Sequence, residues 1–100
     1  MASPSTLFPI GALIFSLGVE RLMRDGRLDP MPFFHRHVRG DWGDVDDFLW
    51  QANNAAQKTG EQLESLFIVT REICLSIFTL ADRSATHIAL VFEARPRATL

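Results

Sequence analysis

Four carboxylates fall within seven residues, at Asp41, Asp44, Asp46 and Asp47. Such a cluster can hold a divalent cation or supply an acid–base pair. The calcium-loop pattern, with glycine at its sixth position and a closing Glu, is absent. The Asp44-x-x-Asp47 step fits helix capping better, because side-chain oxygens there accept amide hydrogens that no helical carbonyl reaches. His35 and His37 stand two apart, which sends them to different sides of a helix. A helical metal pair needs a spacing of three or four. The expectation is a pair of surface histidines and no metal.

Cys74 lies in an apolar run without an adjacent base, so it reads as an inert thiol rather than a nucleophile. Ser84, in Asp82-Arg83-Ser84, lacks the Gly-x-Ser-x-Gly frame of a nucleophile elbow. Asp82 suits a hairpin turn instead. No glycine-rich phosphate loop occurs, and no cofactor or enzyme is expected. Nine of the ten basic residues are arginine. Arg21, Arg24 and Arg27 recur every three residues, as do Arg36 and Arg39, and could form a small basic face. With 12 acidic against 10 basic side chains, a net charge of −2 and no tyrosine, nucleic-acid binding by phosphate neutralisation is not expected.

These groups must be positioned by one domain, because 100 residues with 47% apolar composition build a single core. Residues 1–6 read as a flexible lead-in, 7–94 as the domain and 95–100 as a tail. The apolar stretch 7–17 has no Lys or Arg ahead of it and is broken by Pro9 and Gly11, so neither a signal peptide nor a membrane span is expected. A single cysteine points to the cytoplasm.

Residues 8–15 read as a first strand. Ser16 then caps a short helix that stops at Gly26. Asp29-Pro30 starts a second helix, with Phe33, Phe34 and Val38 as its buried stripe. Asp44 opens a third, whose apolar face is Val45, Phe48, Leu49, Ala52 and Ala56, ending at Gly60. Residues 63–70, 73–80 and 86–93 are β-rich and joined by short connections, hence antiparallel hairpins. The predicted fold is α+β: an N-terminal strand, three helices, then an antiparallel three-stranded meander, giving a four-stranded sheet with helices packed on it. These strands carry more apolar residues than one buried face needs. Either the first helices fold across the second face, or that face meets a protein partner or a second copy.

Two segments resemble a known family. Gly40-Asp41-Trp42-Gly43-Asp44-Val45-Asp46 and Ala81-Asp82-Arg83-Ser84 look like the motifs of small plasmid and integrative-element proteins, commonly labelled plasmid-related protein. His37 and Asn53 or Asn54 fall in matching places, and the resemblance spans roughly residues 8 to 93. Val45 replaces the family's leucine, and Phe48, Leu49 and Trp50 stand where the family is charged. The family carries no activity to transfer. It implies a cytoplasmic accessory protein of a bacterial mobile element.

The expected function is therefore non-enzymatic: binding and inhibition of a host protein complex, as an anti-CRISPR or anti-restriction protein. Asp41, Trp42, Asp44, Asp46, Asp47 and Trp50 are the expected partner-binding residues, with tryptophan anchors beside charges. The alternative is a nucleic-acid-associated regulator or maintenance factor using Arg21 to Arg39.

Overall fold

The computed structural model describes residues 6–93. The tail expected over 95–100, and all but Thr6 of the lead-in, lie outside the described residues. The elements run β1 (Ala12–Phe15), α1 (Leu17–Arg24), α2 (Met31–Val38), α3 (Asp47–Thr59), β2 (Leu63–Ile68), β3 (Cys74–Thr79) and β4 (Ala85–Leu90). The fold is α+β, with three helices and one four-stranded sheet in the order β1-β4-β3-β2. That sheet is mixed rather than wholly antiparallel. β2, β3 and β4 pair as hairpins, but β1 lies parallel to β4.

The first strand is shorter than the apolar run suggested. Phe8 turns into the core at 4% exposure, and the carbonyl of Ile10 accepts from Thr86 Oγ1 at 2.9 Å instead of joining a ladder. Pro9 and the left-handed Gly11, with φ +64°, account for the break. A Cβ at Gly11 would sit 2.3 Å from the Ser84 backbone, so only glycine lets the chain pass this close to the β3–β4 turn. The last strand also ends early, at Leu90, where Glu93 N donates back to Leu90 O at 2.9 Å.

All the helices use one side of the sheet. Val19 of α1 and Phe34 and Val38 of α2 pack with Phe67, Leu75, Ile77, Ile88 and Leu90. Trp42, Phe8, Ala56 and Leu63 form a second cluster beneath α3. By strand alternation Ala12, Ile14, His87, Ala89, Cys74, Phe78 and Ile68 belong to the opposite side, and none of them enters either cluster.

Ser16 caps α1 as expected, its Oγ accepting from Val19 N at 3.1 Å. The same hydroxyl donates to Glu93 Oε1, and Gly18 N donates to Glu93 Oε2. Glu93 thus sits where the helix dipole is positive and ties the chain after β4 to α1. Burial raises its pKa, but the hydrogen bonds from Ser16, Leu90 N and Gly18 N outweigh that and the net shift is down.

The third helix begins later and faces differently from the expectation. Asp46, not Asp44, is its N-cap, accepting from Leu49 N at 2.8 Å. Asn53 and Ala56 are its buried positions, while Phe48 is 82% exposed and Ala52 is also exposed. Val45 precedes the helix. The face is rotated because α3 packs on a strand edge, where main-chain groups call for a polar side chain.

β2 is that edge. Its outward groups would be unpaired, and those from Glu64 N to Ile68 N each find a partner. Asn53 Oδ1 accepts from Glu64 N at 3.1 Å and its Nδ2 donates to Glu64 O at 2.7 Å. Leu66 N donates to Trp42 O, and Leu66 O accepts from Asp44 N at 2.6 Å. Ile68 N donates to Asp44 Oδ2 at 2.9 Å. Gly43, at φ +76°, lets the segment lie against the strand, since a Cβ there would meet Leu66 O at 2.1 Å and the Phe67 ring at 2.6 Å. Gly43→Ala is accordingly expected to cost about 2–3 kcal/mol, combining left-handed strain with loss of the bridge. Urea unfolding of the two proteins checks this, and a change below about 0.5 kcal/mol would contradict it.

Candidate functional site

The acidic segment divides between structure and surface. Asp41 forms the one ion pair among the described residues, 2.7 Å from Arg36 Nε, and also accepts from Gly43 N at 3.1 Å. The Arg36 hydrogen bond holds the Asp41 carboxyl below its ordinary range, and Asp41 in turn raises the Arg36 pKa. Arg36 itself lies over the Phe67 ring at 4.7 Å. Asp44 is spent on the β2 edge and Asp46 on the helix cap. Asp47 lies in the first helical turn, and its carboxylate has no hydrogen bond or ion pair with another described residue.

Trp42 differs most from its expected role. It is 0% exposed, stacked on Phe8 at 6.2 Å and edge-on to His37 at 5.5 Å. Its Nε1 donates to Asn54 Oδ1 at 2.9 Å. In this conformation the ring belongs to the core and offers no surface. Trp50 is half-buried against the same cluster. The surface that remains near the segment is built by Phe48, Gln51, Ala52 and Asp47, which line a shallow groove on the outer side of α3. Ile68, 66% exposed, stands at the end of β2, where Asp44 bonds it.

His37 also departs from expectation: it is 0% exposed. Its Nδ1 is 2.6 Å from Ser65 Oγ and its Nε2 3.0 Å from Thr79 Oγ1. Thr79 Oγ1 is 2.7 Å from Thr86 Oγ1, which donates to Ile10 O. The carbonyl can only accept, so every proton in the chain is placed. Thr86 donates to Ile10, Thr79 to Thr86, His37 Nε2–H to Thr79, and Ser65 to His37 Nδ1. The chain itself fixes the proton on Nε2, and the Ser65-to-Nδ1 direction is that of the neutral imidazole. Burial pushes the His37 pKa down to about 3, in agreement. Ser65 and His37 stand at the distance of a nucleophile and its base, yet both are fully buried, which leaves a substrate no route to them. His35 stays exposed.

Arg83 carries the second motif. Its Nη1 donates to Glu61 O at 2.7 Å and Leu80 O at 3.1 Å, and its Nη2 to Ala56 O at 3.1 Å. The guanidinium therefore sits at the negative end of the α3 dipole and fastens the β3–β4 turn to it. Asp82 Oδ1 accepts from Ser84 N at 2.9 Å, the expected turn contact. Cys74 is half-buried, and burial, then the charge of Asp44, raises its thiol pKa, which disfavours the thiolate. No group of three or more His, Cys, Asp or Glu among the described residues could hold a metal ion. No helix among them is long and apolar enough to cross a membrane.

Sequence reasoning missed the buried role of His37, the edge-capping role of Asn53 and the exposure of Phe48. Alternation along β2 carried a clue, since Ser65 falls between Leu63 and Phe67 on its core side and must find a buried polar partner. Comparisons with protein-family models, curated proteins and solved structures returned no match to the chain.

Two outcomes follow. In the unfolded chain His37 titrates near 6.5, whereas in the fold it stays neutral down to about pH 3. Between these values the unfolded state binds the extra proton, so stability is full above pH 6.5 and falls as pH drops toward 3. The slope approaches about 1.4 kcal/mol per pH unit, or about 2 kcal/mol lost by pH 5. His87, also lowered by burial, adds in the same direction. Urea midpoints from pH 7.5 to 4 are expected to show this slope, and His37→Gln to flatten it. Separately, Trp42→Ala is expected to cost about 3–5 kcal/mol while Phe48→Ala stays within about 0.5 kcal/mol; equal effects in urea unfolding would be inconsistent with these placements.

Proposed function

We propose that this chain is a non-enzymatic accessory protein of a bacterial mobile element that binds a host protein complex in the cytoplasm and inhibits it. An anti-defence role, against a CRISPR or restriction complex, is the form proposed. The observation that carries the reading is Phe48, a large apolar side chain left 82% exposed on the side of α3 away from the buried Asn53 and Ala56. Asp44, Asp46 and Asp47 precede it in sequence, and none of the three forms an ion pair among the described residues, although the charge of Asp44 also acts on Arg36. An apolar knob beside exposed carboxylates suits a partner with a basic rim and an apolar pocket, the charges steering encounter and the aromatic ring supplying affinity. Asp47, Phe48, Gln51 and Ala52 form the contact surface in this reading, with Asp46 and the exposed part of Trp50 beside it.

The resemblance of residues 40–46 and 81–84 to plasmid-related proteins supplies the mobile-element setting. The regulator alternative has less to stand on. Arg36 is engaged by Asp41 and Phe67, which leaves the arginines of α1 and the loop after it without the second half of the face.

The test is a phage and plasmid challenge of bacteria carrying defined CRISPR or restriction systems, with and without the expressed chain. Relief of interference by the native protein, lost with Phe48→Lys and reduced with Asp47→Lys, is expected. Truncation of Phe48 to alanine should weaken binding to the purified target about 30-fold or more, and rising salt should weaken it further. If every system tested keeps full activity in the presence of folded protein, the inhibitor reading fails.

A further inference from the structure

The two edges of the sheet are treated in opposite ways. Every outward main-chain group from Glu64 N to Ile68 N on β2 is capped by Asn53, Trp42 or Asp44. At the other edge, β1 donates inward from Ala12 N to Ser84 O at 3.0 Å, and Ser16 N donates to Ile88 O at 2.9 Å. The even-numbered residues therefore face β4, and the N–H and C=O groups of Leu13 and Phe15 face outward. Among the described residues nothing bonds them. The strand reads Ala-Leu-Ile-Phe, with no charge, proline or bulge of the kind that normally blocks an open edge.

We propose that β1 is the interface through which two copies of this chain associate, pairing antiparallel about a two-fold axis at Ile14 to form one continuous eight-stranded sheet. The geometry is self-complementary. With the axis at Ile14, Leu13 of one copy lies opposite Phe15 of the other, and each pair exchanges both main-chain hydrogen bonds. Ile14 meets its own symmetry mate in the close, non-hydrogen-bonded position, about 4.5 Å between Cα atoms. Ile14 is 41% exposed and Leu17, just beyond, 60%. Both would be covered.

Charge agrees with this occupant. Phe15, Glu20, Met23 and Arg24 line a shallow groove of about 240 Å³ beside the strand. Under the same axis α1 and its mate run antiparallel, which sets Glu20 of each copy toward Arg24 of the other. A closed pair of this kind uses the same patch twice and leaves no further edge open, because β2 is capped. The inference does not depend on the inhibitor reading. Either can fail alone.

Sedimentation equilibrium of the full chain across about 1 μM to 1 mM is the test. A monomer–dimer equilibrium is expected, with a Kd of order 10 μM for so short an interface. Ile14→Lys places two like charges at the axis and leaves both core clusters untouched, and should raise Kd at least about tenfold with an unchanged circular dichroism spectrum. Should that variant fold poorly, the charge series decides. Glu20→Arg should weaken the dimer, and the double variant E20R/R24E should restore it. A native chain that stays monomeric throughout overturns the proposal. So does a dimer indifferent to both series, or an assembly larger than two.

Discussion

Everything on one flank of this protein depends on capping the outer edge of β2. A strand at the rim of a sheet carries a row of main-chain donors and acceptors that cost free energy when they lie under packed side chains without partners. Here an extended segment, a carboxylate and a carboxamide supply those partners between Glu64 and Ile68. Gly43 permits the approach. Once the segment is held there, the Trp42 ring is delivered into the core beside Phe8 and His37. The same contacts determine where α3 begins and which side of it turns inward.

The buried polar chain from Ser65 to Ile10 performs a related task inside the molecule. It links α2, β2, β3, β4 and the segment before β1 through one neutral imidazole. A fully satisfied network of this kind specifies register, because a slip by one residue would strand several polar groups in an apolar core. Arg83 adds a third fastening, between the β3–β4 turn and the carbonyls ending α3. Together these contacts account for both sequence motifs as architecture. The proposed contacts use side chains that the architecture does not. Phe48 and Asp47 stand outside it on α3, and Ile14 stands outside it on β1.

Much of the fold was legible from local pattern. Ser16 as a cap, Gly60 as a helix stop with φ +83°, the Asp82 turn and the two tight hairpins each follow from residue chemistry within a few positions. The order of one strand, three helices and three strands follows from the change of hydrophobic period. The candidate site was less legible. Trp42, Asp41 and Asp44 look like an interaction motif because aromatic and acidic residues together are common at interfaces, yet the same types also cap an edge. Periodicity assigned Phe48 to the core and missed Asn53, since it weighs apolarity and not the demand of exposed main-chain groups.

What the sequence determined by itself, then, is the kinds and order of the elements, most of their caps and turns, and the α+β class. These depend on interactions spanning a few residues. Only the tertiary structure decided that β1 runs parallel to β4, that His37 is buried and neutral, that Trp42 lies inside and Phe48 outside. Each of these depends on groups brought together from distant parts of the chain: 28 residues separate His37 from Ser65 and 42 separate it from Thr79. Whether a polar side chain faces water or the core is settled by whether such a distant partner arrives, because burial without one costs more than the hydrophobic gain nearby can offset.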